Sequence, residues 1–328
     1  MEMELLTPLN MQANAENSEK FPKIARFQFR KLGTDIDIQV VVTTAEEEKL
    51  MREDFSLVEK VYDDFTKIFS RFDLESELSK LNLKLGVFNL ASSHLLEIVK
   101  MSLKYNSDTD GIFDPRILDV LEKVGYFDDF SDGSRLFRSD IDEKSTLLQG
   151  PLVDDLRIED GKVFFGVKMD FSGIAKGYIT DRVAEFLISK GWNNFLVDSG
   201  GDMFMQGLDE EQRRWTIAVE GIDEKKMIFA LDKKGIATSG IGRRRWEIDG
   251  KRVHHIVDPK NPENFSFDLK SVSVIADDTT SADVWAKTIF LMGAKGGMLY
   301  AREHDLAVVI LNYRGAAWIS PKAKEHLY

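Results

Sequence analysis

The nonapeptide Asp170-Phe171-Ser172-Gly173-Ile174-Ala175-Lys176-Gly177-Tyr178 joins a predicted strand to a predicted helix. An apolar run, 162–169, precedes it, and Ile179, Val183 and Phe186 follow it at helical spacing. The free N–H groups at a helix start carry partial positive charge, and glycine lets a ligand approach the backbone closely. An acidic residue, a small-residue turn and a lysine in this order suit a phosphate-containing ligand, although an ordinary strand–turn–helix connection has the same layout.

The composition is that of a globular protein, with 43% hydrophobic and 30% charged residues in a chain of 328 residues. This length suits one large domain or two lobes. The chain carries 44 Lys and Arg against 56 Asp and Glu, a net charge of -12. General nucleic-acid binding relies on basic surface, so we expect no nucleic-acid partner.

The absence of cysteine excludes disulfides, thiolate metal sites and cysteine nucleophiles. No apolar run approaches the ~18 residues of a membrane helix, so we expect no membrane span. Residues 1–20 are polar, lack the apolar core of a signal peptide and are expected to form a flexible N-terminal lead. As written, the chain is predicted to be cytoplasmic; a periplasmic or membrane-anchored protein is the alternative if a signal has been removed.

The order of predicted elements indicates an α+β fold. Residues 24–42 predict two strands around Gly33-Thr34, and 46–69 predict a long amphipathic helix, followed by helices at 76–81 and 92–105 and a short one ending at Val124. Residues 127–150 are polar and predict a surface loop. Two further helices are predicted at 280–292 and 295–304. The predicted later strands are 152–158, 163–168, 194–198, 203–206, 215–219, 227–231, 236–239, 244–248, 253–257, 272–276, 307–311 and 316–319. Helices gather early and strands follow, which favours α+β over βαβ alternation, with one domain over 21–328.

Six groups of short segments exceed what core packing requires. Each also has an ordinary explanation: Asp-Pro pairs start turns, Ser76 caps a helix, and Gly200-Gly201 fits a tight connection. The segments are 31–34; 70–82; 111–115; 170–178 with 198–203; 237–240 with 255–259; and 271–276 with 282–283 and 290–293. Together, in this order and spacing, they resemble the ApbE-type FAD:protein FMN transferase family from about Gly33 to Gly293.

The resemblance implies an ApbE-like fold with a mixed, mostly antiparallel sheet, helices, and FAD bound between two lobes. It also implies a magnesium-dependent enzyme that transfers FMN from FAD to a Ser or Thr hydroxyl of an acceptor protein through a phosphoester bond, releasing AMP. The implied substrate is FAD, the implied cofactor Mg²⁺ and the implied partner the acceptor protein. Two alternatives stay open: a flavin-binding protein or FAD hydrolase with altered chemistry, and a non-enzymatic interaction module.

His255 is the predicted general base, because it matches the family motif and an unperturbed imidazole pKa of ~6.5 suits proton transfer near neutrality. We prefer it to His254, because neighbouring residues on a strand point to opposite faces; a purely structural role for His255 is the alternative. The resemblance also implies a set of FAD-contacting residues: Leu32, Phe72, Ile112, Phe113, Asp114, Asp170, Lys176, Thr238, Ser239 and Gly240. Arg243, Arg244 and Arg245 follow closely and are either phosphate contacts or a solvated rim.

Three positions depart from the family pattern. Phe72 replaces a tyrosine that packs on the flavin, and Leu32 stands where methionine is common. The family places magnesium on a backbone carbonyl near Gly173, on Asp283 and on a threonine four residues later, a position that holds Lys287 here. Either Asp283 and Lys287 form an i,i+4 ion pair, worth ~0.3 kcal/mol on an exposed helix, or the ammonium partly replaces the metal. The two interpretations are compatible, and both predict weakened magnesium binding.

Overall fold

The computed structural model describes residues 22–126, 150–222, 227–242, 244–248 and 250–328. The predicted N-terminal lead, Arg243 and all of the predicted surface loop except Gly150 lie outside the described residues. The helices are α1 (Ala45–Phe69), α2 (Glu77–Asn82), α3 (Ser93–Asp108), α4 (Leu118–Lys123), α5 (Leu152–Asp155), α6 (Ser172–Ser189), α7 (Thr279–Glu303) and α8 (Pro321–Lys324). The strands are β1 (Lys23–Lys31), β2 (Thr34–Val42), β3 (Phe88–Leu90), β4 (Leu156–Glu159), β5 (Lys162–Phe165), β6 (Phe195–Ser199), β7 (Met203–Gln206), β8 (Trp215–Ala218), β9 (Ile228–Leu231), β10 (Lys234–Gly240), β11 (Arg245–Ile248), β12 (Lys251–His254), β13 (Leu269–Ala276), β14 (Ala307–Asn312) and β15 (Ala317–Ile319).

Eight strands form the main sheet in the order β1-β2-β6-β7-β10-β13-β14-β15. Neighbouring strands in it are antiparallel. Smaller sheets join β3-β5-β4, β8-β9 and β11-β12. In β2, Ile36, Ile38 and Val40 are fully buried and alternate with polar residues, the period-2 pattern of a strand with one covered face. The predicted α+β fold with a mostly antiparallel sheet is confirmed.

Helix α1 forms because its start is capped and one of its faces is apolar. Thr44 accepts a hydrogen bond from the backbone N–H of Glu47, whose carboxylate accepts one from the backbone N–H of Thr43. Met51, Val58, Tyr62, Phe65 and Phe69 are buried along the predicted apolar stripe. This stripe covers the face of the sheet beside β1 and β2, and the helix predicted at 46–69 is confirmed to within one residue.

Helices α6 and α7 pack against each other, and α7 also lies on β10 and β13. The close approach depends on Gly177, because a Cβ there would lie 2.5 Å from the carbonyl oxygen of Thr279. Helix α7 is interrupted at Gly293, whose φ of 73° is readily adopted only by glycine. This interruption confirms the two predicted helical segments, 280–292 and 295–304.

Several predicted strand boundaries were wrong. Residues Leu152–Asp155 form a helical turn instead of the start of a strand, because Asp155 turns inward to pair with Arg116 at 2.7 Å. Strand β12 ends at His254, three residues before the predicted end, so His255 begins the following loop. Strand β3 and helix α8 were not predicted, because each is too short to show a period.

The candidate site lies between two of the hydrophobic clusters. One cluster joins α1, α3 and α6 to β2 and β6, and the other joins α7 to β13 and β14. Contacts cross between them: the Tyr105 hydroxyl lies 2.7 Å from that of Ser281, and Lys260 pairs with Asp110 at 3.3 Å. In the described ranges, no helix is both long enough and apolar enough to cross a membrane.

Candidate active site

The turn before α6 is held by backbone and carboxylate hydrogen bonds. The Asp170 N–H donates to the carbonyl of Pro115 at 2.7 Å, and the Asp170 carboxylate accepts from the backbone N–H of Ser172 at 2.6 Å. Asp170 is 2% exposed. The helix predicted after the nonapeptide's turn is confirmed and Asp170 faces inward, but the preceding strand was predicted too long, because it ends at Phe165.

Arg71 is the partner of Asp170, and the sequence analysis did not assign it a role. Its Nε lies 3.0 Å from Asp170 Oδ2. Its guanidinium carbon lies 4.1 Å from the ring centre of Phe72 and 4.5 Å from that of Tyr126. The guanidinium thus lies within cation–π distance of both rings, which is favourable. Phe72 stays 37% exposed, so its ring is accessible to a ligand. An arginine next to an aromatic residue was the only sequence signal for this arrangement.

The turn at 111–115 places Phe113 in the same region. The Phe113 N–H donates to the Thr109 hydroxyl at 3.0 Å, and Asn106 donates to the Phe113 carbonyl at 2.8 Å. The Phe113 ring reaches to 3.4 Å from the Cβ position of Gly173. Ile112 lies in the same turn, half-buried.

Asp114 is buried against a cation of its own segment. Its carboxylate accepts from the backbone N–H, Nε and Nη2 of Arg116, the last at 2.8 Å. Arg116 continues to Asp155, so the pair ties the turn to α5. The predicted FAD-contacting carboxylate therefore already has a structural partner.

Two lysines and two buried carboxylates form a charge cluster, which we define as Lys176, Asp202, Asp283 and Lys287. Lys176 pairs with Asp202, and Lys287 pairs with Asp283. The two carboxylate side chains are 1–2% exposed, whereas the lysine side chains are 22–23% exposed. Asp283 also accepts a hydrogen bond from the Gly177 N–H at 3.3 Å. Asp202, which follows the glycine pair 200–201, was not among the predicted site residues.

The pKa values of Asp202 and Lys176 are shifted by burial and by neighbouring charges. Burial, and then the charge of Asp283, raise the pKa of Asp202, which the two lysines partly offset. Burial alone would lower the pKa of Lys176, but the neighbouring carboxylates outweigh it and the pKa is raised. Lys176 is therefore protonated at neutral pH.

The predicted metal position is occupied by a lysine side chain. The Cδ and Cε atoms of Lys287 lie 3.6 and 3.8 Å from the Cβ position of Gly173. Its ammonium is bound to Asp283, the only predicted carboxylate ligand. No cluster of three His, Cys, Asp or Glu able to hold a metal occurs in the described part of the chain. Magnesium is held in proteins through one or two carboxylates with waters and substrate phosphates, and the Asp283 carboxylate is already paired with an ammonium, so the residues as placed do not fit the ion.

The two histidines have different surroundings. His254 is 1% exposed, its Nε2 lies 2.9 Å from the Ser266 carbonyl, and the rings of Phe265 and Phe267 stand edge-on to it. His255 is half-buried and lies edge-on to the Tyr126 ring at 6.3 Å. Tyr126 thus links the predicted base to the Arg71–Phe72 stack.

His255 is held in a defined neutral form. Its Nδ1 lies 3.2 Å from the Arg244 carbonyl. Because a carbonyl only accepts, Nδ1 carries the proton and Nε2 has the free lone pair. Burial and the charge of Arg244 place the pKa of His255 well below its ordinary value, and Lys287 contributes in the same direction. The imidazole is therefore neutral at pH 7 and able to accept a proton.

The remaining predicted residues lie in the β1–β2 turn and on the interior strand β10. Leu32 has a φ of 55° in the β1–β2 turn, where Gly33 has 66°. On β10, Thr238 is exposed and its hydroxyl lies 2.8 Å from that of Ser273, Ser239 is buried, and Gly240 approaches the carbonyl of Lys270.

Arg244 and Arg245, the described members of the arginine run, have different surroundings. Arg245 donates to the Tyr313 hydroxyl at 2.9 Å, on the exposed rim. The positive charge of Arg244 acts to lower the pKa of both Lys176 and His255. The structure thus unites Gly173, the charge cluster and Phe113, with Asp170, Phe72 and His255 linked through Arg71 and Tyr126.

Known proteins resemble this chain in sequence and in fold. The sequence profile described as the ApbE family matches residues 32–310. An FAD:protein FMN transferase of Klebsiella pneumoniae is 30% identical over 166 residues, 48% of this chain and 47% of the relative, so the chain spans about half of that relative. An FAD:protein FMN transferase of Vibrio cholerae is 28% identical over 291 residues, 85% of each chain.

The fold is shared with a solved structure. The apo form of the flavinyl transferase ApbE of Pseudomonas stutzeri has a TM-score of 0.78 with this chain at 24% identity, covering 93% of this chain and 97% of the other. That likeness establishes the fold. Because the family profile covers far more than half of the sequence, the chain belongs to the ApbE family.

Proposed function

We propose that this chain transfers FMN from FAD to a Ser or Thr hydroxyl of an acceptor protein and releases AMP. The observation that carries the proposal is a neutral half-buried imidazole, His255, within the field of two cations, Arg244 and Lys287. Phosphoryl transfer requires both a base for the hydroxyl and positive charge at the phosphates. The names of the relatives, FAD:protein FMN transferases, support the same reaction.

The proposed transfer is a single displacement at phosphorus with His255 as the proton acceptor. The acceptor hydroxyl oxygen bonds to the FMN-side phosphorus, and the bond from that phosphorus to the bridging oxygen breaks. The bridging oxygen leaves with AMP and takes the bonding electron pair, while the hydroxyl proton moves to His255 Nε2. The Nδ1–H bond to the Arg244 carbonyl holds the ring in the accepting tautomer and stabilises the imidazolium that forms.

FAD is proposed to lie between the Arg71–Phe72 stack and the charge cluster. The exposed Phe72 ring offers an apolar face for the flavin, with Leu32, Ile112 and Phe113 as further apolar contacts. The ammonium of Lys176 supplies charge toward the phosphates. The proposed polar contacts are Asp114, Asp170, Thr238, Ser239 and the backbone of Gly240.

Magnesium has no step in this proposal. A divalent ion would supply charge stabilisation at the pyrophosphate. Here the position between Gly173 and Asp283 holds the Lys287 side chain, and an ammonium beside a divalent cation is repelled. The weakened magnesium site stays a sequence-based prediction, and the position of Lys287 supports a metal-free alternative.

One assay tests the proposed function. The protein is incubated with FAD and an acceptor domain that the Vibrio cholerae transferase labels, and AMP release and in-gel flavin fluorescence are measured together. We expect AMP and a fluorescent acceptor band in equal amounts. AMP with free FMN and no labelled band would make the protein a hydrolase, and bound FAD without AMP would make it a flavin-binding protein; either result overturns the proposal.

A further inference from the structure

The ammonium of Lys287 is placed where a charge toward the pyrophosphate is required. Its aliphatic stem lies against the Gly173 backbone, beside the Phe113 ring, and its head pairs with Asp283. The side chain is 22% exposed although its carboxylate partner is 2% exposed. The Asp283 carboxylate is therefore buried, and Lys287 is the solvent-exposed member of the pair.

The charge balance of the whole cluster also supports Lys287 as the cation that faces the pyrophosphate. The two ammonium groups together carry the charge of one divalent ion, so both carboxylates are already neutralised without a metal. Asp202 and Asp283 already repel each other, which contributes to the raised pKa of Asp202. An entering phosphate competes with these carboxylates for the two ammonium groups.

Lys287 also acts on the proposed base. Its positive charge disfavours the protonated form of His255, in the same direction as burial and Arg244. One side chain thus bears on both requirements of the reaction, a neutral base and charge at the phosphates.

We infer that Lys287 is a catalytic residue that supplies the positive charge at the pyrophosphate, so that transfer proceeds without a divalent metal ion. This inference rests on the proposed FMN transfer. During the reaction the ammonium meets the negative charge that develops on the phosphoryl oxygens and on the leaving AMP. No bond to Lys287 forms or breaks, and its proton stays on Nζ.

The test compares transfer rates in excess EDTA and in millimolar Mg²⁺ for the wild type and three variants. Lys287→Thr frees the metal position and adds a hydroxyl, Lys287→Met removes only the charge, and Lys295→Met is the matched control, an exposed lysine on the same helix. Manganese binding to each substrate-free protein is measured by electron paramagnetic resonance, a readout that does not depend on activity.

We expect the wild type and Lys295→Met to transfer at equal rates in EDTA and Mg²⁺ and to bind no Mn²⁺. Lys287→Met should lose about 100-fold in both conditions, the typical effect of removing one stabilising group. Lys287→Thr should show the same loss in EDTA, regain activity in Mg²⁺ and bind Mn²⁺. Circular dichroism checks folding, and if Lys287→Thr does not fold, the wild type and Lys287→Met decide.

The inference is overturned if EDTA abolishes wild-type transfer and Mg²⁺ restores it, or if Lys287→Met transfers at the wild-type rate. Neither result affects the proposed function, because transfer still occurs. If the wild type labels the acceptor in neither condition, although the Vibrio cholerae transferase labels it, the proposed function fails and the inference falls with it.

Discussion

The Asp181 carboxylate of α6 accepts two hydrogen bonds from Thr280 of α7, from its backbone N–H at 2.8 Å and from its hydroxyl at 2.5 Å. It also accepts from the Thr279 N–H at 2.8 Å. One helix thus caps the start of the next, where free N–H groups need acceptors. Because Asp283 and Lys287 follow within two turns, this cap sets the position of the charge cluster relative to Lys176 on α6.

The cap predicts a pH dependence of stability. Burial raises the pKa of Asp181 from 3.8 to about 6. The folded protein therefore takes up this proton near pH 6, while the unfolded chain takes it up only near 3.8. The resulting stability is fully present below pH 3.8 and is lost as the pH rises through 6. From pH 7 to 5, Asp181 should add on the order of 1 kcal/mol to the free energy of unfolding.

Urea unfolding at pH 5, 6 and 7, for the wild type and Asp181→Asn, measures this contribution. The variant cannot titrate at this position, so the difference in unfolding free energy between the two proteins should change with pH as described. Parallel pH curves for the two proteins would contradict the assignment, whatever their absolute stabilities.

Gly177→Ala should destabilise the protein through the α6–α7 contact. The added Cβ would lie 2.5 Å from the Thr279 carbonyl oxygen and 2.8 Å from the Thr280 Cα, which are backbone atoms that cannot rotate away. Overpacking of this kind costs about 1–3 kcal/mol. Chemical denaturation measures the loss in unfolding free energy.

The matched control is Gly296→Ala, also on α7. Its Cβ would meet only the Met292 side chain, at an ordinary 3.7 Å. Alanine in a helix is favoured over glycine by about 0.5–1 kcal/mol, so this variant should be slightly stabilised. A loss of similar size in both variants would show that the close helix contact is not the cause.

His255→Ala should retain FAD binding and lose transfer. The variant removes the group proposed to accept the hydroxyl proton, and general base catalysis contributes about 10²–10⁴-fold in rate. FAD binding is followed by fluorescence quenching and transfer by acceptor labelling. His304→Ala, which removes an exposed ring stacked on Tyr300, serves as the control. Wild-type transfer by His255→Ala would end the assignment of His255 as the base.

The pH–rate profile should have its acid limb below pH 6.5, because the pKa of His255 lies well below that ordinary value. The base is active when neutral, so activity is lost only as the pH falls through this lowered pKa. Arg244→Gln removes a positive charge but keeps the backbone carbonyl that orients the ring. Its acid limb should move up, toward 6.5. An unchanged limb would mean that another group governs the profile.

Several features of the fold could be predicted because they depend on neighbours in the chain. The alternation in β2, the capped amphipathic α1 and the break at Gly293 are patterns within a few residues. The residues of the candidate site were predicted in the same way, from short, continuous stretches, and their roles stay predictions. Leu152–Asp155 was predicted wrongly because its conformation depends on a distant partner, Arg116.

The sequence by itself determined the fold class, the family and the short segments from which the site is built, because periodicity, turn residues and motif spacing are local properties of the chain. Only the tertiary structure decided which charges meet. Arg71 reaches Asp170, and Lys176 reaches Asp202, across tens of residues. Burial and the neighbouring cations keep His255 neutral. The packing of α7 against the turn at Gly173 places the Lys287 side chain at the position predicted for a metal.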